Sequence, residues 1–190
     1  MEIINTAIDE VKIIVPQVFG DARGYFFESW NAAKYAEAGI NCNWVQDNES
    51  KSRFGVLRGL HYQAAPYTQA KLVRVIEGAV LDVAVDIRKG SPTFGKHVAV
   101  ELSSENKYQL FVPRGFAHGF VVLTESATFA YKCDNTYMPS HERGIAFNDP
   151  ALAIDWKVNL SEYLLSAKDM KTPCLADAEV FDYTTREYLQ

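Results

Sequence analysis

The sequence predicts a mainly β protein, folded as an antiparallel sandwich or jelly-roll barrel with a few short peripheral helices. Apolar side chains alternate with polar or small ones along residues 81–87 and 97–102, a period that is typical of strands with one buried face. Clusters of turn-forming residues separate such runs at residues 77–78, 89–92, 103–106 and 113–115. Short strands joined by turns, with little helix between them, favour a sandwich or a barrel.

The 190 residues contain no internal repeat and no low-complexity linker, so we expect one domain spanning residues 1–190. Two short helices are predicted. Asn31 is placed to cap a helix over residues 32–38, and Gly39 suits its left-handed end. Ser161 is placed to cap a second helix over residues 161–167, within a C-terminal segment, about residues 160–190, that we expect to be helical.

Charge and cysteine content restrict the classes of partner. The net charge of −5 argues against a broad nucleic-acid-binding surface, although a few converging arginines would still bind a small anion. The three cysteines have no short spacing, so neither a disulfide framework nor a zinc site is expected. No charged-then-apolar leader opens the sequence and no apolar run approaches transmembrane length. We therefore expect a cytoplasmic protein with no membrane partner.

The strongest chemical signal is the hexapeptide RGLHYQ at residues 58–63. His61 and Gln63 are two residues apart on a predicted strand and share a face. Lys71 lies in the next apolar strand, where a buried lysine is costly unless it is paired or functional, and we expect it near His61 across a strand pair. His118 follows a proline and a glycine at the start of a later strand, which suits the mouth of a barrel.

Strand alternation raises two further points. It places Arg58 on the face opposite His61, so both side chains reach one site only if Gly59 forms a bulge or Arg58 lies at the barrel rim. Asp82 and Asp86 could suggest a catalytic carboxylate pair. However, they lie opposite the apolar face of residues 81–87, so we expect a solvated strand face.

The pattern resembles the cupin barrels, whose metal-binding members carry paired histidines on one strand and Pro-x-Gly-x-x-His on a later one. Residues 113–118 keep the later motif, whereas Gln63 stands in the position of the second histidine and a lysine follows. A neutral amide oxygen and an ammonium group are poor ligands for divalent transition metals. We therefore expect a barrel with no catalytic metal and no cofactor.

The chain resembles one family more closely, the dTDP-4-dehydrorhamnose 3,5-epimerases. The matching stretches are residues 19–28, 45–48, 55–63, 69–73, 82–88, 90–95, 113–120, 131–133 and 166–169. The resemblance implies a cupin-type jelly-roll barrel that converts dTDP-4-dehydro-6-deoxy-D-glucose into dTDP-4-dehydro-L-rhamnose in dTDP-L-rhamnose biosynthesis. Each inversion removes a proton next to the C4 ketone and returns one to the opposite face. It therefore needs a base, an acid and a stabiliser of the enolate oxygen.

The resemblance also implies the catalytic groups. His61 would be the base, oriented by Asp169, and Tyr131 would be the acid on the far side of the sugar ring. Lys71 and His118 would stabilise the oxyanion that develops at C4. From the residues alone, Tyr131 fits a core tyrosine equally well, because it shares a strand face with apolar neighbours.

A further set of residues is implied to bind the substrate. Two arginines would bind the diphosphate and Tyr137 would stack on thymine. The implied contacts are Phe19, Arg23, Phe26, Glu28, Gln46, Asp47, Asn48, Arg58, Tyr137, Glu142 and Lys168, together with Lys71 and His118. In the family, part of the N-terminal segment of about residues 1–50 reaches the site of the neighbouring subunit, which implies a homodimer with composite active sites.

Three alternatives remain open from the sequence. An enzyme of this fold could invert only C3 or C5, or act as a ketoisomerase, on a related dTDP-4-keto-6-deoxy sugar. A metal-dependent cupin oxygenase or isomerase is disfavoured by Gln63 and would bind stoichiometric metal. A non-catalytic sugar-nucleotide-binding module would show no solvent exchange, and it gives no reason for Lys71 or for a pair formed by His61 and Asp169.

Overall fold

Two antiparallel sheets face each other and form the walls of a jelly-roll barrel. A computed structural model describes residues 1–190, apart from the side chain of Leu160. The strands are, in chain order, β1 (Glu2–Asn5), β2 (Lys12–Val15), β3 (Val18–Asp21), β4 (Gly24–Phe27), β5 (Gln46–Arg53), β6 (Leu57–Gln63), β7 (Lys71–Glu77), β8 (Ala79–Asp86), β9 (Arg88–Lys89), β10 (His97–Ser103), β11 (Gln109–Val112), β12 (Phe116–Val122), β13 (Ser126–Cys133), β14 (Glu142–Gly144) and β15 (Phe181–Asp182).

The strand order places segments that are distant in the sequence side by side. The six-stranded sheet runs β1-β2-β11-β7-β13-β5, and the five-stranded sheet runs β10-β8-β12-β6-β14. β3 and β4 form a separate hairpin, and β15 pairs with β9 in parallel. The predicted mainly β class and the jelly-roll architecture are confirmed.

Apolar side chains pack in layers on both sides of the five-stranded sheet. Inside the barrel, Val73, Leu102 and Phe129 belong to a buried cluster contributed by both sheets. Outside the five-stranded sheet, apolar residues between positions 145 and 188, including Trp156 and Phe181, pack on the opposite faces of the same strands. Strands that are covered on both faces are shielded from water throughout.

β8 shows the consequence of this double cover. The apolar odd positions are buried as predicted, but every residue of β8 is buried, so the expectation of a solvated face at Asp82 and Asp86 is wrong. The even positions point into the barrel, where both carboxylates have partners. Asp86 accepts hydrogen bonds from Arg88 at 2.8 and 2.9 Å, and Asp82 faces His118. A buried carboxylate is tolerated when it is paired in this way.

A β-bulge in β6 brings Arg58 and His61 onto one face. His61 pairs with His118 on β12, whereas Arg58 pairs with Phe120, so three steps along β6 match two steps along β12. Because residues two apart on β12 share a face, their partners on β6 also share one. Of the two alternatives that the sequence left open, a bulge at Gly59 or Arg58 at the barrel rim, the structure has the bulge.

Replacing Gly59 by alanine should destabilise the protein more than the same change at Gly39. Both glycines have positive φ, +140° and +81°, where an L-residue is strained by about 1–2 kcal/mol. A Cβ at Gly39 would meet nothing within 4 Å, whereas a Cβ at Gly59 would lie 2.5 Å from Cα of Gly119. We expect urea unfolding to show a loss of about 3 kcal/mol for Gly59→Ala and about 1 kcal/mol for Gly39→Ala. Equal losses would contradict the close strand contact at the bulge.

One of the two predicted helices forms. The helix α1 spans Ala32–Glu37, and the Asn31 side chain accepts a hydrogen bond from the Lys34 N–H, as an N-cap does. The second prediction is wrong. Leu160–Glu162 forms a single 3-10 turn, after which Leu164 forms a parallel bridge with Val56 beside the start of β6.

The C-terminal segment is built from short turns. Its 3-10 turns are Leu160–Glu162, Asp169–Lys171, Leu175–Asp177 and Glu187–Leu189. A further 3-10 turn, Pro139–His141, precedes β14. No helix in the described part of the chain is long and apolar enough to cross a bilayer.

Candidate active site

The residues expected to do chemistry meet between the two sheets. Two adjoining cavities of about 330 and 240 Å³ share His61, Lys71 and Tyr131. His61 comes from β6 in the five-stranded sheet, whereas Lys71 and Tyr131 come from β7 and β13 in the six-stranded sheet. These side chains therefore approach one space from opposite walls. The expectation that Lys71 meets His61 across a strand pair is wrong, because β6 and β7 lie in different sheets.

Most of the other predicted site residues line the same two cavities, which together we call the active-site pocket. One cavity is also lined by Gln46, Asn48, Gln63, Tyr137 and Glu142. The other is also lined by Arg58, His118, Lys168 and Asp169.

His61 and Asp169 form a hydrogen-bonded pair. Nε2 of His61 lies 2.5 Å from Oδ1 of Asp169, and the Ser166 hydroxyl donates to the second carboxylate oxygen at 2.8 Å. Burial raises the pKa of Asp169, but its hydrogen bonds and the charge of His61 outweigh that effect, so the pKa lies below its ordinary value. The ionised carboxylate holds the proton on Nε2, which leaves Nδ1 of His61 as the free ring nitrogen.

Lys71 places its amino group inside the pocket. Removal from water lowers the pKa of this group, and the nearby Cys133, Asp82 and Glu142 oppose the lowering only in part. In its protonated form, an amino group held in a poorly hydrated site is suited to a developing oxyanion, because no reorganisation is needed during the reaction.

Tyr131 places a proton donor on the wall opposite His61. Its ring packs against Phe129 with centroids 5.9 Å apart, and burial raises the pKa of its hydroxyl. The phenol therefore stays protonated through the neutral range. The neighbouring Cys133 is buried, and burial raises the pKa of its thiol to about 11, so the thiol stays protonated in the neutral range.

His118 has a partner that the sequence analysis missed. Its Nε2 lies 2.9 and 3.0 Å from the two carboxylate oxygens of Asp82, and both residues are buried. The carboxylate fixes the ring orientation of His118 and the nitrogen that carries its proton. Alternation shows which face of its own strand each of these two residues occupies. It does not show that β8 and β12 are neighbours, and only that pairing brings the two side chains together.

Arg58 is held at the inner face by a second residue that was not predicted. Its Nε and Nη2 donate to the hydroxyl of Ser52 at 3.2 and 3.1 Å. Ser52 is buried, whereas Arg58 is exposed. Most of the donors of the guanidinium group therefore remain free for an anion.

Polar side chains form the rim of the pocket. The Tyr137 hydroxyl donates to Glu142 at 2.5 Å, and Glu142 also forms an ion pair with Lys168. Burial raises the pKa of Glu142, but these contacts outweigh it and lower the pKa overall. On the other side, Gln46 donates to Asn48 at 2.9 Å. Tyr137 therefore lies between amide groups and a carboxylate.

The remaining predicted contacts lie elsewhere in a single chain. Phe19, Arg23 and Phe26 lie on the β3–β4 hairpin, which lines a separate depression, and Glu28 pairs with Lys34 at 2.8 Å. Asp47 is exposed on the outer face of the six-stranded sheet, where Lys132 donates to it at 3.0 Å. Its neighbours Gln46 and Asn48 point inward because side chains alternate along β5.

Known proteins match this chain along nearly its whole length. The family model described as dTDP-4-dehydrorhamnose 3,5-epimerase matches residues 5–177. A dTDP-4-dehydrorhamnose 3,5-epimerase from Shigella flexneri is 54% identical over 182 residues, which are 95% of this chain and 99% of the relative. A crystal structure of dTDP-6-deoxy-D-glucose-3,5-epimerase from Legionella pneumophila, in complex with dTDP-4-keto-L-rhamnose, is 53% identical with a TM-score of 0.93. The match covers 96% of this chain and 98% of that one.

A more distant solved structure shows that this fold also occurs in an epimerase that inverts one centre. A 3'-monoepimerase from Streptomyces bikiniensis, in complex with dTDP-quinovose, is 32% identical with a TM-score of 0.88, covering 98% of this chain and 99% of that one. The 3,5-epimerases from Shigella flexneri and Legionella pneumophila, at 54% and 53% identity, are more similar to this chain in sequence. The chain belongs to the dTDP-4-dehydrorhamnose 3,5-epimerase family.

Proposed function

We propose that this chain inverts C3 and C5 of dTDP-4-dehydro-6-deoxy-D-glucose, through enolates that form next to the C4 ketone, to give dTDP-4-dehydro-L-rhamnose. The family match and the close relatives support the reaction. The observation that carries the mechanism is the hydrogen-bonded pair of His61 and Asp169, which faces Tyr131 across one pocket. Since protons leave and return with no net transfer of electrons, no step in this scheme requires a redox cofactor.

His61 acts as the base in the proposed mechanism. Its Nε2 is engaged by Asp169, so Nδ1 accepts the proton from carbon. Asp169 stabilises the imidazolium ion that results and keeps the ring oriented. The same base can serve C3 and C5 in turn, because both carbons lie next to the ketone.

Lys71 stabilises the enolate oxygen at C4, and His118 does so as an imidazolium ion, because Asp82 already accepts the proton on its Nε2. Lys71 approaches from β7, and His118 from β12. Tyr131 then delivers a proton from the opposite wall to the face of the sugar that His61 does not reach. This separation between base and acid converts proton exchange into inversion.

The pocket rim and the arginines bind the dTDP handle. Arg58 and Arg23 bind the diphosphate, for which a planar guanidinium group is well suited. Tyr137 stacks on thymine, and Gln46, Asn48, Glu142 and Lys168 supply polar contacts. Phe19, Phe26, Glu28 and Asp47 belong to the same binding surface once a second subunit is present.

NMR of the product tests the proposal. Incubation with dTDP-4-dehydro-6-deoxy-D-glucose should give dTDP-4-dehydro-L-rhamnose, with both centres inverted. The likeness to a 3'-monoepimerase favours single inversion at C3 as the second candidate. A product inverted at one centre alone would replace the first proposal by the second.

The charge of Lys71 should set the alkaline limb of the pH profile. Desolvation lowers the pKa of Lys71 from its ordinary value of 10.5, so its ammonium group loses its proton earlier than a free lysine as the pH rises. Burial raises the pKa of Tyr131, which keeps that proton in place. We expect kcat/KM to fall as Lys71 deprotonates and the limb to move to higher pH in Lys71→Arg, because arginine keeps its charge. An unchanged limb in Lys71→Arg would contradict this assignment.

We propose further that the active unit is a homodimer with composite sites. The β3–β4 hairpin exposes Phe19 and Phe26, which are 55% and 71% accessible, and within the described residues the ion pair of Arg23 is with its neighbour Asp21 on that hairpin. These aromatic and cationic side chains suit a nucleotide but do not line the active-site pocket of their own chain. A second copy would bring them there. A cytoplasmic location stays a prediction.

Mixing two inactive variants should restore activity if the sites are composite. His61→Asn removes the base from one pocket, and Arg23→Ala removes the arginine supplied to the partner. After the two variants are denatured together and refolded, mixed dimers contain one intact site, so about a quarter of the normal activity should return if subunits pair at random. Recovery should be absent when each variant is refolded alone. No recovery in the mixture would place Arg23 in the site of its own chain.

A further inference from the structure

We propose that Gln63 is a positioning residue that holds Tyr137 in place for the nucleotide base. The inference rests on the proposed function, since it takes Tyr137 as the surface on which thymine stacks. Gln63 entered the sequence analysis only as a poor metal ligand. In the structure its amide group bonds to the main chain on both sides of Tyr137 and to the Tyr67 carbonyl.

The Gln63 side chain is buried and bonds on both sides of Tyr137. Its Oε1 accepts from the Met138 N–H at 2.6 Å. Its Nε2 donates to the Thr136 carbonyl at 3.1 Å and to the Tyr67 carbonyl at 2.6 Å. The residues immediately before and after Tyr137 are therefore joined to a single amide group at the end of β6.

Tyr137 has few other restraints. Residues 136–138 form no helix or strand, and the Tyr137 ring is 49% accessible, so core packing does not orient it. Its own N–H donates to Oε1 of Gln46 at 3.0 Å, and its hydroxyl donates to Glu142. Glu142 is the register partner of Gln63 across β14 and β6. The position of the aromatic surface therefore depends on side-chain hydrogen bonds.

The three bonds of Gln63 require an amide group at this position. They use two N–H donors and one carbonyl acceptor, which only a primary amide provides together. A carboxylate would turn two of the bonds into repulsive contacts between oxygen atoms. An imidazole in its neutral form offers one donor and one acceptor, so it would leave one backbone group unpaired. A glutamine in place of a histidine here thus has a structural purpose that is independent of metal binding.

Binding of dTDP by Gln63→Glu tests the inference. Loss of both donated bonds frees residues 136–138, so the dissociation constant of dTDP and the KM of the sugar nucleotide should each rise about tenfold, the size of one lost base–aromatic contact. The kcat should stay within about threefold, because His61, Asp169 and Tyr131 are unchanged. The dissociation constant of inorganic pyrophosphate, which has no base, should not change.

Two further variants separate positioning from general loss of stability. Gln63→Met removes the same bonds without burying a charge and should have the same effect on dTDP. Asp149→Asn alters a buried carboxylate that accepts from the Ala151 and Leu175 N–H groups and does not line the pocket. It should lower the melting temperature and leave dTDP binding unchanged.

A double-mutant cycle with Tyr137→Ala decides whether Gln63 acts through Tyr137. Adding Gln63→Met to Tyr137→Ala should weaken dTDP binding no further. Additive losses would overturn the inference about Gln63, and so would unchanged dTDP binding by both Gln63 variants. Neither result would contradict the proposed function. If the unmodified protein binds no dTDP, the proposed function fails and the inference fails with it.

Discussion

His61→Asn should abolish solvent exchange at both C3 and C5 and lower kcat/KM by about a thousandfold, within the range that one general base contributes. Within the described residues, His61 is the one histidine that pairs with Asp169. An asparagine side chain can still donate to Asp169, so the buried carboxylate keeps a partner and the fold should survive. Deuterium exchange followed by NMR measures the loss at each carbon separately.

The matched control is His97→Asn on β10. His97 is partly buried and does not line the active-site pocket, so this variant should keep its exchange rate. Normal exchange at either carbon in His61→Asn would show that a different base serves that centre.

Tyr131→Phe should separate exchange from inversion. The substitution removes only the hydroxyl group, and the ring keeps its contact with Phe129. His61 and Lys71 remain in place, so protons should still leave C3 and C5 from the base side. Delivery to the opposite face should slow by about 10²–10⁴-fold, the contribution of a positioned acid.

Mass spectrometry and NMR of the same reaction distinguish the two steps for Tyr131→Phe. We expect deuterium in recovered substrate with its configuration retained and little inverted product. Loss of exchange equal to the loss of inversion would assign Tyr131 to proton abstraction or to enolate stabilisation. The alkaline limb of kcat/KM should keep its position in this variant, because that limb is assigned to Lys71.

The residues proposed to be catalytic could be picked out where the local sequence carries the signal. His61 and His118 stand in motifs, and Lys71 is conspicuous in an apolar strand. Alternation also showed that Arg58 could reach the site only through a bulge at Gly59 or from the barrel rim, and the structure has the bulge. In each case the information lies within a few residues of the side chain.

Contacts between distant strands could not be predicted. The contact of His118 with Asp82 joins residues 36 apart, and it exists because β8 and β12 are neighbours in the five-stranded sheet. The burial of both faces of β8 depends in the same way on tertiary structure, since a C-terminal layer covers the odd face and the closed barrel covers the even face. Alternation alone indicates that two faces differ, but not that both are covered.

Competition between local and tertiary preferences explains the missing helix. Asn159 and Glu162 form a capping box around a 3-10 turn, so a helix start does exist near the predicted position. The Leu164 N–H then donates to the Gly55 carbonyl, and Leu57 N–H donates to the Leu164 carbonyl. Backbone pairing with the start of β6 thus ends the helix after one turn.

The most direct test of the account is the reaction of the unmodified protein with dTDP-4-dehydro-6-deoxy-D-glucose in deuterated water. An enolate at each position exchanges the carbon-bound proton with solvent, so NMR of the product should show deuterium at both C3 and C5. Deuterium at neither carbon would contradict the enolate mechanism, and deuterium at one carbon alone would contradict double inversion.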